Sequence, residues 1–130
     1  PEAAKALIGT DLGASDWYLI DQDMVNRFVD LTNDHQFIHV NPEAAKMTPF
    51  GGTIVHGFFT LSMLAGLQPE GAIVLEGIKM GVNYGCDRIR FLEPVPVGSR
   101  IRARHKLKAV DDKGKEKPAL IADWLGMQFV

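Results

Sequence analysis

Between Asp34 and Leu67 the chain reads DHQFIHVNPEAAKMTPFGGTIVHGFFTLSMLAGL, and the opening of this stretch holds residues able to move protons. A carboxylate at Asp34 and an imidazole at His39 on one ordered loop can hold a single water between them and pass protons both ways near neutral pH. Behind them, a glycine turn leads through His56-Gly57 into an apolar run. At a helix start the backbone N–H groups are unbonded and the helix dipole is positive, so Gly57 can offer its N–H to negative charge developing on a ligand. Without a side chain it also permits close approach. The same residues suit quieter roles: Asp34 closing a helix or turn, His39 hydrogen-bonded in a loop, and His56 hydrogen-bonded at the helix start. Asp34, His35, His39 and His56 together raise the question of a metal. No HExxH pattern or cysteine pair accompanies them and no helix signal surrounds His35 and His39, so no metal is expected. Cys86 has no neighbouring base and reads as inert core.

These groups need elements to position them. From Ile54 to Leu67 the apolar residues leave no polar stripe, only His56, Thr60 and Ser62, which predicts a helix wrapped on every side. Thr60 and Ser62 read as hydroxyls packed along it. Gly57 and Gly66 interrupt the run and it is too short for a membrane span, so protein must do the wrapping. Upstream, Pro1 to Ile8 is Ala-rich and predicts a short helix ended by Gly9. Ser15 to Ile20 predicts a strand with Trp17 and Leu19 on one face. Asp21 is placed to cap a helix with Asp23 in its first turn and Met24, Phe28 and Leu31 at helical spacing, ending near Asn33. Asn41-Pro42-Glu43 repeats the start signal for one or two turns over Pro42 to Met47.

Beyond Pro69 the period falls to two. Ile73 to Leu75 is a short apolar piece. Lys79 to Leu92 predicts a long strand bent or bulged at Gly81 and Gly85, and PVPVG from Pro94 to Gly98 predicts a rigid corner. From Arg100 to Val110 the basic residues Arg100, Arg102, Arg104, Lys106 and Lys108 alternate with mostly apolar ones, a half-buried strand with a basic outer face. After the polar turn DDKGKEK, Ala119 to Val130 predicts an inner strand. Helices followed by a run of strands argue α+β, an antiparallel sheet curled around one buried helix.

The 130 residues are 46% hydrophobic and 23% charged, which suits a single domain over 1–130 with one core. A net charge of −2 and the lack of a Lys/Arg block interleaved with aromatics give no reason to expect nucleic acid. The one cysteine excludes an internal disulfide framework and fits a reducing, cytoplasmic setting. No secretory or membrane-spanning segment is read, although the chain opens on Pro1 rather than Met, which suggests an initiating segment removed or left out.

The runs DHQFIH, NPEAA and FGGTIVHGF resemble the MaoC-like (R)-specific enoyl-CoA hydratases, and DHQFIHVNPEAA with NYGCDRIRF and PVPVGSRIR is most similar to the nodulation-protein-N-like subgroup. The resemblance covers nearly the whole chain. It implies a hot-dog fold, with an antiparallel sheet wrapped around a long buried central helix, and homodimers with sites at the subunit junction. Two departures stand out. Many members carry Asn-Pro between the acid and the histidine, where this chain has His35-Gln36-Phe37-Ile38, a variant also found in the subgroup. The family usually has another strand between Val110 and Lys117, where only a few polar residues stand here; either a short hairpin replaces it or part of the natural chain is missing.

Hydrating an α,β-unsaturated thioester requires a base to activate water for attack at Cβ, a proton for Cα, and stabilisation of charge on the thioester oxygen. By the resemblance, Asp34 and His39 are the catalytic pair, and Gly57 N–H is the oxyanion donor. Asn41, Phe50, His56 and Phe58 are the candidate substrate contacts. The basic strand face is either simply solvated or, at Arg88 and Arg90, meets CoA phosphates. The implied substrate is an acyl-CoA thioester, with no cofactor, no nucleic acid and no membrane. The rivals are a hot-dog thioesterase, which directs water at the carbonyl carbon, and a non-catalytic acyl-thioester binding protein.

Overall fold

A computed structural model of the chain describes residues 9–69, 79–106 and 120–129. The helix expected over 1–8, the apolar piece at 73–75 and the polar turn at 111–117 lie outside these residues. The architecture is α+β with antiparallel strands, as expected. In chain order the elements are β1 (Asp11–Ala14), β2 (Tyr18–Leu19), α1 (Gln22–Thr32), α2 (Phe37–Val40), α3 (Pro42–Lys46), α4 (Gly57–Met63), β3 (Met80–Phe91), β4 (Arg100–Ile101), β5 (Arg104–Lys106) and β6 (Leu120–Phe129).

Three antiparallel pairs are formed among the described residues: β1 with β5, β2 with β4 and β3 with β6. The first two pairs belong to one irregular ladder between residues 11–20 and 98–106. At its break, Ser15 N–H donates to Ala103 C=O at 2.8 Å while Ala103 N–H donates to the Ser15 hydroxyl at 3.0 Å. That side-chain bond replaces a ladder bond, so the strands predicted over 15–20 and 100–110 are each split. The predicted alternation survives: Arg100, Arg102, Arg104 and Lys106 are exposed, Ala103 is buried, and Ile101 and His105 are half-buried. Trp17, Tyr18 and Leu19 are all exposed, so burial does not distinguish the two faces expected there, and the Arg102 guanidinium lies 4.4 Å from the Trp17 ring. The β3–β6 pair shifts register between Asn83 and Gly85 and again between Cys86 and Ile89, so the irregularity expected at Gly85 is present.

α1 is capped as its sequence dictates. Asp21 Oδ1 accepts from Met24 N–H at 2.9 Å, and Asn33 closes the helix in the left-handed region at φ 61°. Its buried residues are Val25 and Val29, flanked by Met24 and Phe28, whereas Leu31 is 85% exposed. At about 100° per residue, Leu31 lies roughly 120° round the helix from Val25, which corrects the expected Met24, Phe28 and Leu31 stripe. Val25 packs with Ile20, Val55, Phe59 and Val95 in the central cluster.

The helix predicted from Ile54 to Leu67 is shorter, running Gly57–Met63. Residues 53–55 are extended because the PVPVG corner takes their backbone groups: Val55 N–H donates to Val95 C=O at 2.8 Å and Val97 N–H to Thr53 C=O at 2.9 Å. The helix buries Phe59 but leaves Phe58 66% exposed, so it is not covered all round by the described residues. His39, expected outside any helix, sits in the four-residue α2.

Candidate active site

Two backbone segments meet at the site, residues 34–39 and residues 54–57. Ile54 joins them. Its N–H donates to Ile38 C=O at 3.0 Å, and its C=O accepts from His39 Nδ1 at 2.6 Å. Because a carbonyl only accepts, His39 Nδ1 carries the hydrogen, and in the neutral ring the lone pair is on Nε2. Gln22, one residue past the α1 cap, fixes the backbone beside it: its Nε2 donates to His39 C=O at 2.7 Å, and its Oε1 accepts from the Thr53 hydroxyl at 2.7 Å.

His56 packs face to face on His39, the ring centroids 3.7 Å apart and the planes tilted by 24°. Its Nε2–H donates to Asp34 C=O at 3.2 Å, and an Asp34 carboxylate oxygen is 3.9 Å from the same nitrogen. The Phe28 ring lies 4.9 Å from the His56 ring. Burial pushes His56 below its ordinary value of 6.5; the backbone bond to Asp34 opposes this, neighbouring His39 adds to it, and the Asp34 charge opposes it. One donor atom from each of Asp34, His39 and His56 lies within 4.8 Å of the others. A water making two bonds of about 2.8 Å at a tetrahedral angle spans a similar gap. The donor set suits an ion less well: His39 Nδ1 and His56 Nε2 carry hydrogens for carbonyl partners, and the remaining lone pair of His56, on Nδ1, is buried.

Beside this cluster is a cavity of about 320 Å³ whose lining includes His39, Val55, Gly57, Phe58, Phe91 and Val95. Gly57 is the first residue of α4, so its N–H has no carbonyl one turn back within the helix. A side chain there would collide with Phe91, since a Cβ would stand 2.9 Å from ring atom Cδ1. A side chain at this position therefore fits only if the Phe91 ring moves aside.

The structure thus brings His39 and Gly57 to one cavity, with Asp34 within reach of His39. Of the four expected substrate contacts only Phe58 lines it. Asn41 is instead the cap of α3, its Oδ1 accepting from Ala44 N–H at 3.1 Å. Phe50 lies in the turn that follows, away from the lining, and His56 faces Asp34 and His39. The roles of Gln22, Phe28, Phe91 and the Ile54 carbonyl at the site are not legible in the sequence, because they arise from contacts between segments distant in the chain.

A family model described as "MaoC like domain" matches residues 3–122. Nodulation protein N of Rhizobium leguminosarum bv. viciae is 44% identical over 135 aligned positions, which cover 91% of this chain and 84% of that protein. The alignment is longer than this chain, so that relative carries residues without a counterpart here. The 3-hydroxyacyl-thioester dehydratase Z of Mycobacterium tuberculosis is 50% identical over 109 residues, 84% of this chain and 72% of that protein. Among solved structures, an (R)-hydratase from A. caviae involved in PHA biosynthesis superposes with a TM-score of 0.68 at 22% identity, covering 92% of this chain and 94% of that one. These likenesses bear out the hot-dog fold, and with the family model spanning nearly the whole sequence, the chain belongs to the MaoC-like dehydratase family.

Proposed function

We propose that the protein catalyses the (R)-specific hydration of trans-2-enoyl-CoA, or the reverse dehydration of (3R)-hydroxyacyl-CoA. The observation that carries this reading is a cavity lined by both His39 and Gly57, with the His39 ring held so that its lone pair is on Nε2 and an Asp34 carboxylate oxygen within 4.8 Å of a His39 ring nitrogen. The names of the dehydratase and (R)-hydratase relatives support it. In the forward direction Asp34 and His39 hold one water. A proton passes from it to the Asp34–His39 pair, which later returns that proton to Cα, as the water oxygen bonds to Cβ; the electron pair of the double bond shifts toward the thioester, and Gly57 N–H meets the charge gathering on the oxygen. Protonation at Cα then completes the addition. Delivery of both parts from one water places them on one face of the alkene. No metal or cofactor enters this scheme, and the apolar wall of Val55, Phe58, Phe91 and Val95 receives the acyl chain.

We further propose a cytoplasmic homodimer: Phe58 and Phe91 leave large apolar surface exposed at the cavity, which a second copy would cover. Sedimentation at micromolar concentration should show the dimer.

The decisive assay follows loss of enoyl absorbance with chiral analysis of the product, while a thiol reagent watches for free CoA. Asp34→Asn and His39→Gln should each nearly abolish hydration, and the double variant should be about as slow as the worse single one, because both act on one water. Binding of an unreactive acyl-CoA should fall far less than turnover. Single variants that keep most of their activity, or thiol release without hydration, would overturn the reading.

A further inference from the structure

We propose that His56 is a positioning residue, a neutral imidazole that holds the Asp34 backbone through its Nε2–H and backs the His39 ring, so that acid, base and the start of α4 keep one geometry. The proposal rests on the hydratase reading above, and it moves His56 from a substrate contact to a support. Three observations carry it.

The first is connectivity. His56 immediately precedes Gly57, and its own C=O accepts from Thr60 N–H at 3.1 Å, so its main chain belongs to the start of α4. Its side chain meanwhile reaches Asp34 C=O and covers the face of His39. One residue therefore ties the acid, the base and the oxyanion donor together.

The second is the proton inventory. Nε2 carries a hydrogen because its partner is a carbonyl, so the neutral ring has its lone pair on Nδ1. Nδ1 is buried without a hydrogen-bond partner among the described residues, and His56 is only 3% exposed. Protonating it would bury an N–H with nothing to receive it and set a charge against the His39 ring. Among the described residues the titratable groups facing His56 are Asp34 and His39; the other ring on it, Phe28 from α1, is uncharged. Burial holding His56 below its ordinary value agrees with a neutral ring.

The third is cost. A buried acceptor left unpaired is destabilising, whereas an apolar group of the same shape is not. A ring that served only packing would be better as phenylalanine, particularly beside Phe28 and Phe59, whose rings are 5.0 Å apart. Histidine at this point is thus explained by its Nε2–H, the one feature phenylalanine cannot supply.

The test compares His56→Phe with His56→Gln in the full chain. Phenylalanine keeps the stack and loses the donor; glutamine keeps an amide N–H near the Nε2 position and loses the stack. Expected for His56→Phe is a melting temperature no lower than wild type, with kcat reduced by about tenfold to a hundredfold, the scale of a mispositioned catalytic group. KM should change by less than about threefold, and the loss should be the same factor across the pH–rate profile. His56→Gln should recover most of the rate. Amide hydrogen exchange over residues 34–39 should be faster in His56→Phe than in His56→Gln, a readout independent of catalysis. Equal exchange in the two variants, a Phe variant as fast as wild type, or a Gln variant no faster than Phe would overturn the proposal. Loss of a single limb of the pH profile would do so as well, since it would make His56 a proton carrier. If the wild type never hydrates enoyl-CoA, the hydratase reading fails while the exchange comparison still decides the role of His56.

Discussion

Gly57 offers a way to separate a backbone donor from the space around it, because alanine and proline differ there in one respect that matters. Either residue brings a Cβ to within 2.9 Å of Phe91 Cδ1 and 3.0 Å of Cε1 and Cγ. Carbon contacts are comfortable at roughly 3.5–4.0 Å, so the ring must retreat by somewhat under or about 1 Å. Phe91 is 46% exposed and is met edge-on by Phe58 at 5.5 Å, which leaves it room to swing outward. Overpacking in a closed core costs about 1–3 kcal/mol, the low end for the half-exposed ring of one copy and the high end where a second copy covers it. Gly57→Ala should therefore melt a few degrees lower and keep turnover within about tenfold of wild type, since its N–H remains. Gly57→Pro exchanges that N–H for the ring methylene Cδ, which removes the donor and fills its place. Proline is tolerated at the first helical position, and His56 at φ −57° and ψ 137° already has the extended conformation that a residue before proline prefers. Losing one oxyanion donor costs about 2.7–4 kcal/mol, so the proline variant should be at least about a hundredfold slower than the alanine variant. The assay is initial rate against enoyl-CoA, with circular dichroism confirming that both variants fold. A folded proline variant matching the alanine variant would remove Gly57 N–H from the mechanism. Phe91→Leu, placed in the alanine background, should restore part of the lost stability.

Two more expectations follow from the surroundings of the pair. His56 is held below 6.5 in the folded chain, so as pH falls beneath 6.5 the unfolded chain takes up a proton that the folded chain refuses. Stability from this source is complete above that value and declines as pH falls toward the folded value; urea titrations at several pH values should show the slope, and His56→Phe should reduce it. Gln22→Ala removes the donor to His39 C=O and the acceptor of the Thr53 hydroxyl. It should destabilise by about 1–2 kcal/mol and slow turnover several-fold, whereas an unchanged rate would mean that the α2 backbone holds its place without it.

What was legible in the sequence were features settled by neighbours in the chain. Asp21 and Asn41 accept from backbone N–H groups three residues ahead, Pro42 opens α3, and Asn33 closes α1, all chemistry of the local backbone. That Asp34, His39 and Gly57 belong together was readable because one stretch contains them, while the roles proposed for them are read from the family resemblance. The extent of α4 was not, because periodicity records which residues are apolar and is silent on what pairs with their backbone. Phe91 was not readable either: nothing near it in the chain points to Gly57. α2, with its four residues, is shorter than any period could reveal.

The short α4 is itself a condition of the proposed chemistry. Had the helix begun at Ile54, as the apolar run predicts, Ile54 C=O would have turned to the N–H of Phe58 one turn on. It accepts instead from His39 Nδ1, and Ile54 N–H pairs with Ile38 C=O. Those two bonds join the histidine to the cavity wall and leave Nε2 as its basic nitrogen. The β-branched pair Ile54 and Val55 favours the extended state, and the corner at Val95 and Val97 supplies its partners. The same short start leaves the N–H of Gly57 unbonded within the helix, at the cavity that His39 also lines. Where the helix begins therefore sets both which nitrogen of His39 is basic and which backbone donor is free, so a change that extended α4 back through Ile54 would disturb both together.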